Sequence, residues 1–234
     1  MLRAVLARAV TSLRLRALDL ADRALGRADR LVPPRRLRGF AGDSDFLATG
    51  AELLGLMGAY VGFDPVAEAI AWCAARYPPH FRFVHADLRN DLYNPAGAVI
   101  AADYRFPVDD GWATLAVATS VFTHLDRPEI ERYLAETRRA LAPGATALLT
   151  FFLLDDASRA ALAAGRARQG FGAAGGDQAV ADPEVTMAAV AYDRGVVLAQ
   201  MASQGLDVAT VHDGSWRGGD GLSYQDLVVA RAPG

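Results

Sequence analysis

The amino-acid sequence predicts a three-layer α/β fold on a mostly parallel sheet, with an antiparallel hairpin at its C-terminal end. From residue 60 onward, short apolar runs rich in β-branched or aromatic residues alternate with helical patterns, the arrangement of a parallel sheet covered on both faces. Near the end, Leu206 to Val211 and Gln225 to Ala230 are two strand-like runs joined through Gly214, Gly218, Gly219 and Gly221, with no crossover helix between them. The chain has 234 residues, 52% of them hydrophobic, enough to bury one sizeable core.

The elements follow in order. Leu2, Leu6, Ala9, Leu13, Ala17, Leu20 and Ala24 recur at three- and four-residue steps with arginines between them, which predicts an N-terminal amphipathic helix over residues 2 to 30, ended by Pro33 and Pro34. Strands are expected at Tyr60 to Asp64, Phe81 to His85, Leu115 to Thr119 and Ala145 to Leu153. Helices are expected near 66 to 76, 128 to 140 and 155 to 165. Pro143 and Gly144 mark the turn from the second of these helices into the next strand. Residues 165 to 182, rich in glycine and alanine and weakly periodic, read as a mobile loop.

Charge divides the chain in two. Residues 1 to 40 carry ten arginines against Asp19, Asp22 and Asp29, a local charge of +7 in a chain whose net charge is -3. The expected organisation is a basic helical extension over residues 1 to 37 and one domain over 38 to 234. The extension suits packing on the domain or a partner chain, or lying on an anionic membrane or nucleic acid. A pI near 5.8 argues against a globally basic nucleic-acid binder.

Cys73 is the only cysteine, which excludes an intramolecular disulfide and a multi-thiolate metal site and fits a reducing, cytoplasmic compartment. No run approaches the roughly 20 apolar residues needed to span a bilayer, and the N-terminus lacks the apolar centre of a secretory signal. His80, His85, His124 and His212 are scattered without a ligand spacing, so no metal is expected.

Two predicted strand ends carry carboxylates. Asp64 is placed to accept hydrogen bonds from the two hydroxyls of a nucleoside ribose, or to cap the helix that starts after Pro65. Asp87, in His85-Ala86-Asp87, can accept from an exocyclic adenine amine or serve as a solvent-facing turn residue. His124 can act as a base, its unperturbed pKa lying near neutrality, or be held by a backbone group for structure. Tyr93 and Trp216 read either as site-lining aromatics or as core.

Gly62-Phe63-Asp64, Ile70-Ala71-Trp72-Cys73, His85-Ala86-Asp87, Tyr93-Asn94-Pro95-Ala96-Gly97 and Ser120-Val121-Phe122-Thr123-His124-Leu125 occur in one order. With Thr150-Phe151-Phe152-Leu153-Leu154 and Tyr224-Gln225-Asp226, they make residues 38 to 232 resemble the bacterial class I S-adenosylmethionine-dependent methyltransferases. The resemblance implies a Rossmann-like methyltransferase fold whose seven-stranded sheet ends in a reversed hairpin. It implies S-adenosylmethionine as cofactor and methyl transfer to an acceptor, a small molecule being favoured, with sugar, lipid and protein left open because acceptor pockets come from variable loops. It also implies cofactor-binding roles for Phe63 and Asp64 at the ribose, Asp87 and Leu88 at the adenine, and Ser120 near the methionine portion, with His124 just beyond.

The sequence departs from that family at one element. The first strand should end in a glycine-rich turn whose backbone N–H groups meet the cofactor. Between Phe46 and Tyr60 only thirteen residues intervene, and Gly55 and Gly58 do not make the GxGxG pattern, so this strand and loop are missing. Thr114 also stands where the family has an aspartate. Losing a central strand forces its neighbours to pair with each other or to leave backbone groups unpaired. A non-catalytic relative acting as a binding module, or an internally shortened enzyme, are the competing expectations.

Overall fold

The computed structural model describes residues 58–91, 93–172 and 177–234. The expected amphipathic helix at 2 to 30, the extension at 1 to 37 and the segment from Phe46 to Met57, which holds Gly55, lie outside the described residues. The chain forms two compact units that divide between Ala86 and Asp87.

The first unit contains a β-α-β crossover: β1 (Tyr60–Asp64), α1 (Ala67–Ala74) and β2 (Phe81–His85). β1 and β2 run parallel in the register Tyr60↔Phe81 through Asp64↔His85. Aromatic side chains hold the unit together, with Tyr60 against Phe81 and Phe83 at ring separations of 5.4 and 5.5 Å, and Tyr77 against Phe83 at 5.3 Å. Gly62 makes room for this cluster, since a Cβ there would lie 2.6 Å from the Tyr60 hydroxyl. The Arg76 guanidinium stacks 4.5 Å from the centre of the Trp72 ring.

The second unit holds β3 (Ala113–Ala118), α2 (Arg127–Ala140), β4 (Leu141–Phe151) and β5 (Leu153–Leu154). It continues with α3 (Asp156–Ala163), β6 (Gln178–Val180), β7 (Val190–Asp193), α4 (Arg194–Ser203), β8 (Asp207–His212) and β9 (Asp226–Arg231). One sheet has the order β3-β4-β9-β8 and a smaller one β5-β7-β6. β3 and β4 are parallel, and β9 returns antiparallel between β4 and β8, the expected hairpin.

Local chemistry explains the helix starts. Asp126 and Glu129 form a reciprocal capping box at α2, with N–H···O distances of 3.0 and 2.8 Å. Asp155 and Ser158 form another at α3, and the Asp193 carboxylate accepts from Gly195 and Val196 at α4. Ile130 and Leu134, four apart on α2, are wholly buried, as are Val197 and Met201 on α4.

Three details differ from the sequence expectations. Pro143 and Gly144 lie inside β4: the register with β3 jumps from Ala113↔Leu141 to Leu115↔Thr146, and Gly144 takes φ +73°. The pair is a bulge, where a missing N–H and a left-handed backbone are tolerated. Residues 178 to 180 of the expected loop are strand β6, because pairing with β7 buries Ala179. β7 and α4 had no counterpart among the expected elements.

The parallel sheet is not continuous through the described strands. β1 bonds only to β2, and β3 bonds to β4 alone, so each presents an edge without a strand partner among the described residues. Leu115 and Val117 on β3 are 42% and 54% exposed.

Candidate functional site

Asp64 closes β1, and its register partner His85 closes β2, so the two strands stop level with each other. The Ala86 N–H donates to the Asp64 carbonyl oxygen at 3.1 Å, and Asp87 follows next in the chain. The Asp64 carboxylate accepts the Val66 N–H at Oδ1, 2.7 Å away, which is the capping role read in the sequence. Its Oδ2 accepts no hydrogen bond among the described residues. The side chain keeps an exposed surface, yet the surrounding protein raises its carboxyl above the ordinary range, opposed by the Val66 N–H and the nearby His85. His85 Nε2 donates to the Pro65 carbonyl at 3.2 Å and so holds the turn after β1. Phe63 is half-buried within β1, opposite Val84.

In the second unit, Asp87 opens a tight loop. Its carboxylate accepts from Asn94 Nδ2 at 3.0 Å and from the Ala98 N–H at 3.3 Å, and its carbonyl accepts the Val99 N–H at 3.0 Å. Asn90 and Asn94 exchange both backbone bonds, at 3.0 and 2.9 Å. Leu88 is buried, and Gly97 packs directly on its backbone: a Cβ on Gly97 would come within 2.4 Å of the Leu88 carbonyl. The Tyr93 to Gly97 motif is thus explained by a loop that only glycine can close.

Two residues past the end of β3, Ser120 takes φ +58°. Its N–H donates to Thr150 Oγ1 at 2.8 Å, Thr150 Oγ1 donates to Gln225 Oε1 at 2.6 Å, and Gln225 Nε2 donates to Ser120 Oγ at 2.9 Å. The ring joins the ends of β3 and β4 to the residue before β9. A left-handed serine is a sparsely populated conformation that persists only where its surroundings enforce it.

His124 ends the short 3-10 turn Phe122–His124. Nδ1 donates to the Met187 carbonyl at 3.0 Å, and Nε2 accepts from the Tyr93 hydroxyl at 3.3 Å, with the rings edge to face at 5.3 Å. Burial lowers its pKa, against the raising effect of the Met187 carbonyl. Tyr192 supports the same turn by donating to the Leu125 carbonyl at 3.0 Å, and burial pushes its phenol up to about 12.

Sequence reasoning assigned Gln225, Thr150, Asp226 and Arg217 no individual role. Asp226 is fully buried and accepts from the Leu153 N–H, the Gly214 N–H, Trp216 Nε1 and Arg217 Nε. A carboxylate opening an otherwise apolar strand run, Asp226-Leu227-Val228-Val229, was the available signal. Trp216 is core: it is fully buried, with Phe152 and Phe171 edge to face at 5.4 and 5.6 Å. Among the described residues no three His, Cys, Asp or Glu side chains group as metal ligands, and no helix is long and apolar enough to cross a membrane.

No family model matches the chain. Solved structures do. The 1,6-didemethyltoxoflavin-N1-methyltransferase of Burkholderia thailandensis, solved with 1,6-didemethyltoxoflavin and S-adenosylhomocysteine, matches over 96% of this chain and 89% of its own. The identity is 12% and the TM-score 0.52. An S-adenosylmethionine-dependent methyltransferase of Mesorhizobium loti matches 84% of this chain and 95% of its own, at 15% identity and TM-score 0.51. One from Methanosarcina mazei matches 79% and 86%, at 18% identity and TM-score 0.50. With a parallel β-α-β unit whose strands end at Asp64 and His85 and a β3-β4-β9-β8 sheet closed by a reversed hairpin, the chain has the class I S-adenosylmethionine-dependent methyltransferase fold.

Proposed function

We propose that the chain is an S-adenosylmethionine-dependent methyltransferase acting on a small-molecule acceptor. Asp64, with Phe63 beside it, takes the ribose hydroxyls, Asp87 and Leu88 the adenine, and Ser120 the methionine portion. The observation that carries this reading is the Asp64 carboxylate at the tip of β1: one oxygen serves the turn, and the other accepts nothing among the described residues. Such an oxygen suits a ribose hydroxyl.

Asp87 and Ser120, within the second unit, keep hydrogen-bonding capacity of the kind the cofactor needs. Each Asp87 oxygen accepts one hydrogen bond within its loop and retains a second lone pair for an amine donor. Ser120 retains its hydroxyl proton. Bound at these groups, the sulfonium cofactor supplies an electrophilic methyl carbon for in-line displacement. The chain contributes mainly positioning. His124 Nε2, whose lone pair faces the Tyr93 hydroxyl, is the candidate atom to hold an acceptor proton, and Tyr93 must yield its hydrogen bond for this to occur.

The glycine-rich turn missing between Phe46 and Tyr60 favours a second reading, a methyltransferase-like binding module. In either case we assign the protein to the cytoplasm on its single cysteine, Cys73, and treat residues 1 to 37 as an extension contacting a partner protein or a membrane surface.

Calorimetric titration with S-adenosylmethionine and S-adenosylhomocysteine separates the two. The enzyme reading expects binding weaker than about micromolar, because the sequence has no glycine-rich turn between Phe46 and Tyr60, and its loss in Asp64→Ala. No heat at millimolar ligand sinks the enzyme reading and leaves the binding module.

A further inference from the structure

The hydrogen-bonded ring of Ser120, Thr150 and Gln225 has a direction that its bond lengths set. The Ser120 backbone N–H can only donate, so Thr150 Oγ1 is the acceptor of that 2.8 Å bond. A hydroxyl oxygen can accept twice, but 2.6 Å is an O–H···O length and short for N–H···O, so the Thr150 hydroxyl gives its proton to the carbonyl oxygen of Gln225. This settles the orientation of the amide, an assignment that rests on its network. Gln225 Nε2 therefore faces Ser120 Oγ at 2.9 Å and donates to it. The Ser120 hydroxyl has accepted, so its proton points out of the ring, as does the second N–H of the Gln225 amide.

Two further features indicate that the ring serves that proton. Ser120 is the one non-glycine residue with positive φ among the described residues, a strained conformation that persists only where its surroundings enforce it. Thr150 is buried, so its hydroxyl has little freedom to rotate away.

We propose that Gln225 and Thr150 are positioning residues that aim the Ser120 hydroxyl proton at the amino-acid carboxylate of the bound nucleoside, a role that rests on the cofactor reading above. The proton needs an acceptor. The ammonium of the amino-acid portion has none and the sulfonium offers no lone pair of comparable strength, whereas a carboxylate accepts it as a charge-assisted bond. With the opposite amide orientation Gln225 would draw the proton back into the ring.

Calorimetry on the full chain tests this with two probes, S-adenosylhomocysteine and 5′-methylthioadenosine, which shares the nucleoside but lacks the amino acid. Gln225→Glu keeps the shape but supplies a carboxylate that captures the Ser120 proton. It should weaken S-adenosylhomocysteine by about tenfold and leave 5′-methylthioadenosine within about twofold. In a Ser120→Ala background the same substitution should have no further effect, because the group it acts through is gone. Thr150→Val should lower the preference for S-adenosylhomocysteine as well, and Thr150→Ser, which keeps the hydroxyl, should restore it, so the test survives a poorly folding Gln225 variant.

Equal losses for both probes, or an undiminished loss in the Ser120→Ala background, overturn the inference by pointing to general damage or bare charge repulsion. Wild-type binding with a preference that neither substitution moves overturns this inference alone. Failure of the wild type to bind either probe overturns the cofactor reading and this inference together.

Discussion

Asp226 and Arg217 form an ion pair closed off from water, with Arg217 Nε 3.0 Å from Asp226 Oδ1, the carboxylate fully buried and the guanidinium side chain 9% exposed. Oδ1 also takes the Gly214 N–H, while Oδ2 takes Trp216 Nε1 and the Leu153 N–H. Leu153 starts β5, where the chain leaves its pairing with β9 and begins pairing with β7. One carboxylate thus ties the junction of two sheets to the turn before β9. Removing it leaves four donors, one of them charged, without an acceptor. Asp226→Ala should destabilise the fold by about 3–5 kcal/mol in urea unfolding. A loss below about 1 kcal/mol would show that water replaces the carboxylate.

Asp155 shares this network. Burial works against its charge, but the Ser158 N–H, Arg217 and Arg194 bring its carboxyl down from 3.8 to about 2. A group whose folded value lies below its unfolded value adds stability above the unfolded value and loses it as pH falls through the folded one. The window therefore runs from about 3.8 down to about 2. Stability measured across it should fall in the wild type, and Asp155→Asn should flatten that part of the curve. Parallel curves for the two proteins would remove Asp155 as the cause.

Gly97 supports the loop opened by Asp87. A methyl group there meets Leu88 backbone, which cannot move aside as a side-chain tip could. Gly97→Ala should cost about 1–3 kcal/mol and speed amide exchange at Arg89 and Val99, whose N–H groups close the loop. Unchanged exchange at both would show that the loop does not depend on that contact.

His124 should be neutral at pH 7 with its proton on Nδ1. Burial lowers its pKa below 6.5, so its contribution to stability is present above pH 6.5 and is lost as pH falls toward the folded value. Nitrogen-resolved NMR should find Nδ1 protonated, and its midpoint should lie below 6.5. A midpoint above that value would mean an acidic neighbour, not burial, governs the ring.

Much of the architecture was legible because it rests on local rules. Tyr60 to Asp64 and Phe81 to His85 have the bounds observed for β1 and β2, since β-branched and aromatic runs between turn residues carry their own signal. The final hairpin was readable from its glycines. β7 and α4 were missed although Asp193, Val197 and Met201 carry a cap and an i, i+4 apolar pair. β6 is only three residues long and glycine-rich sequence precedes it, so its strand character comes from pairing with β7.

By itself the sequence determined the β1-α1-β2 crossover, the closing hairpin, the carboxylate at the tip of β1 and the fold class, because periodicity, capping and turn chemistry act between residues close in the chain. The bulge at Pro143 and Gly144, the burial of Asp226 and the ring of Ser120, Thr150 and Gln225 were decided by tertiary structure. Ring members stand 30, 75 and 105 positions apart. No local pattern encodes a hydrogen bond over such separations. Its donors and acceptors meet only after β3, β4 and β9 have paired, and the direction of each bond is set by which atoms that pairing brings within reach.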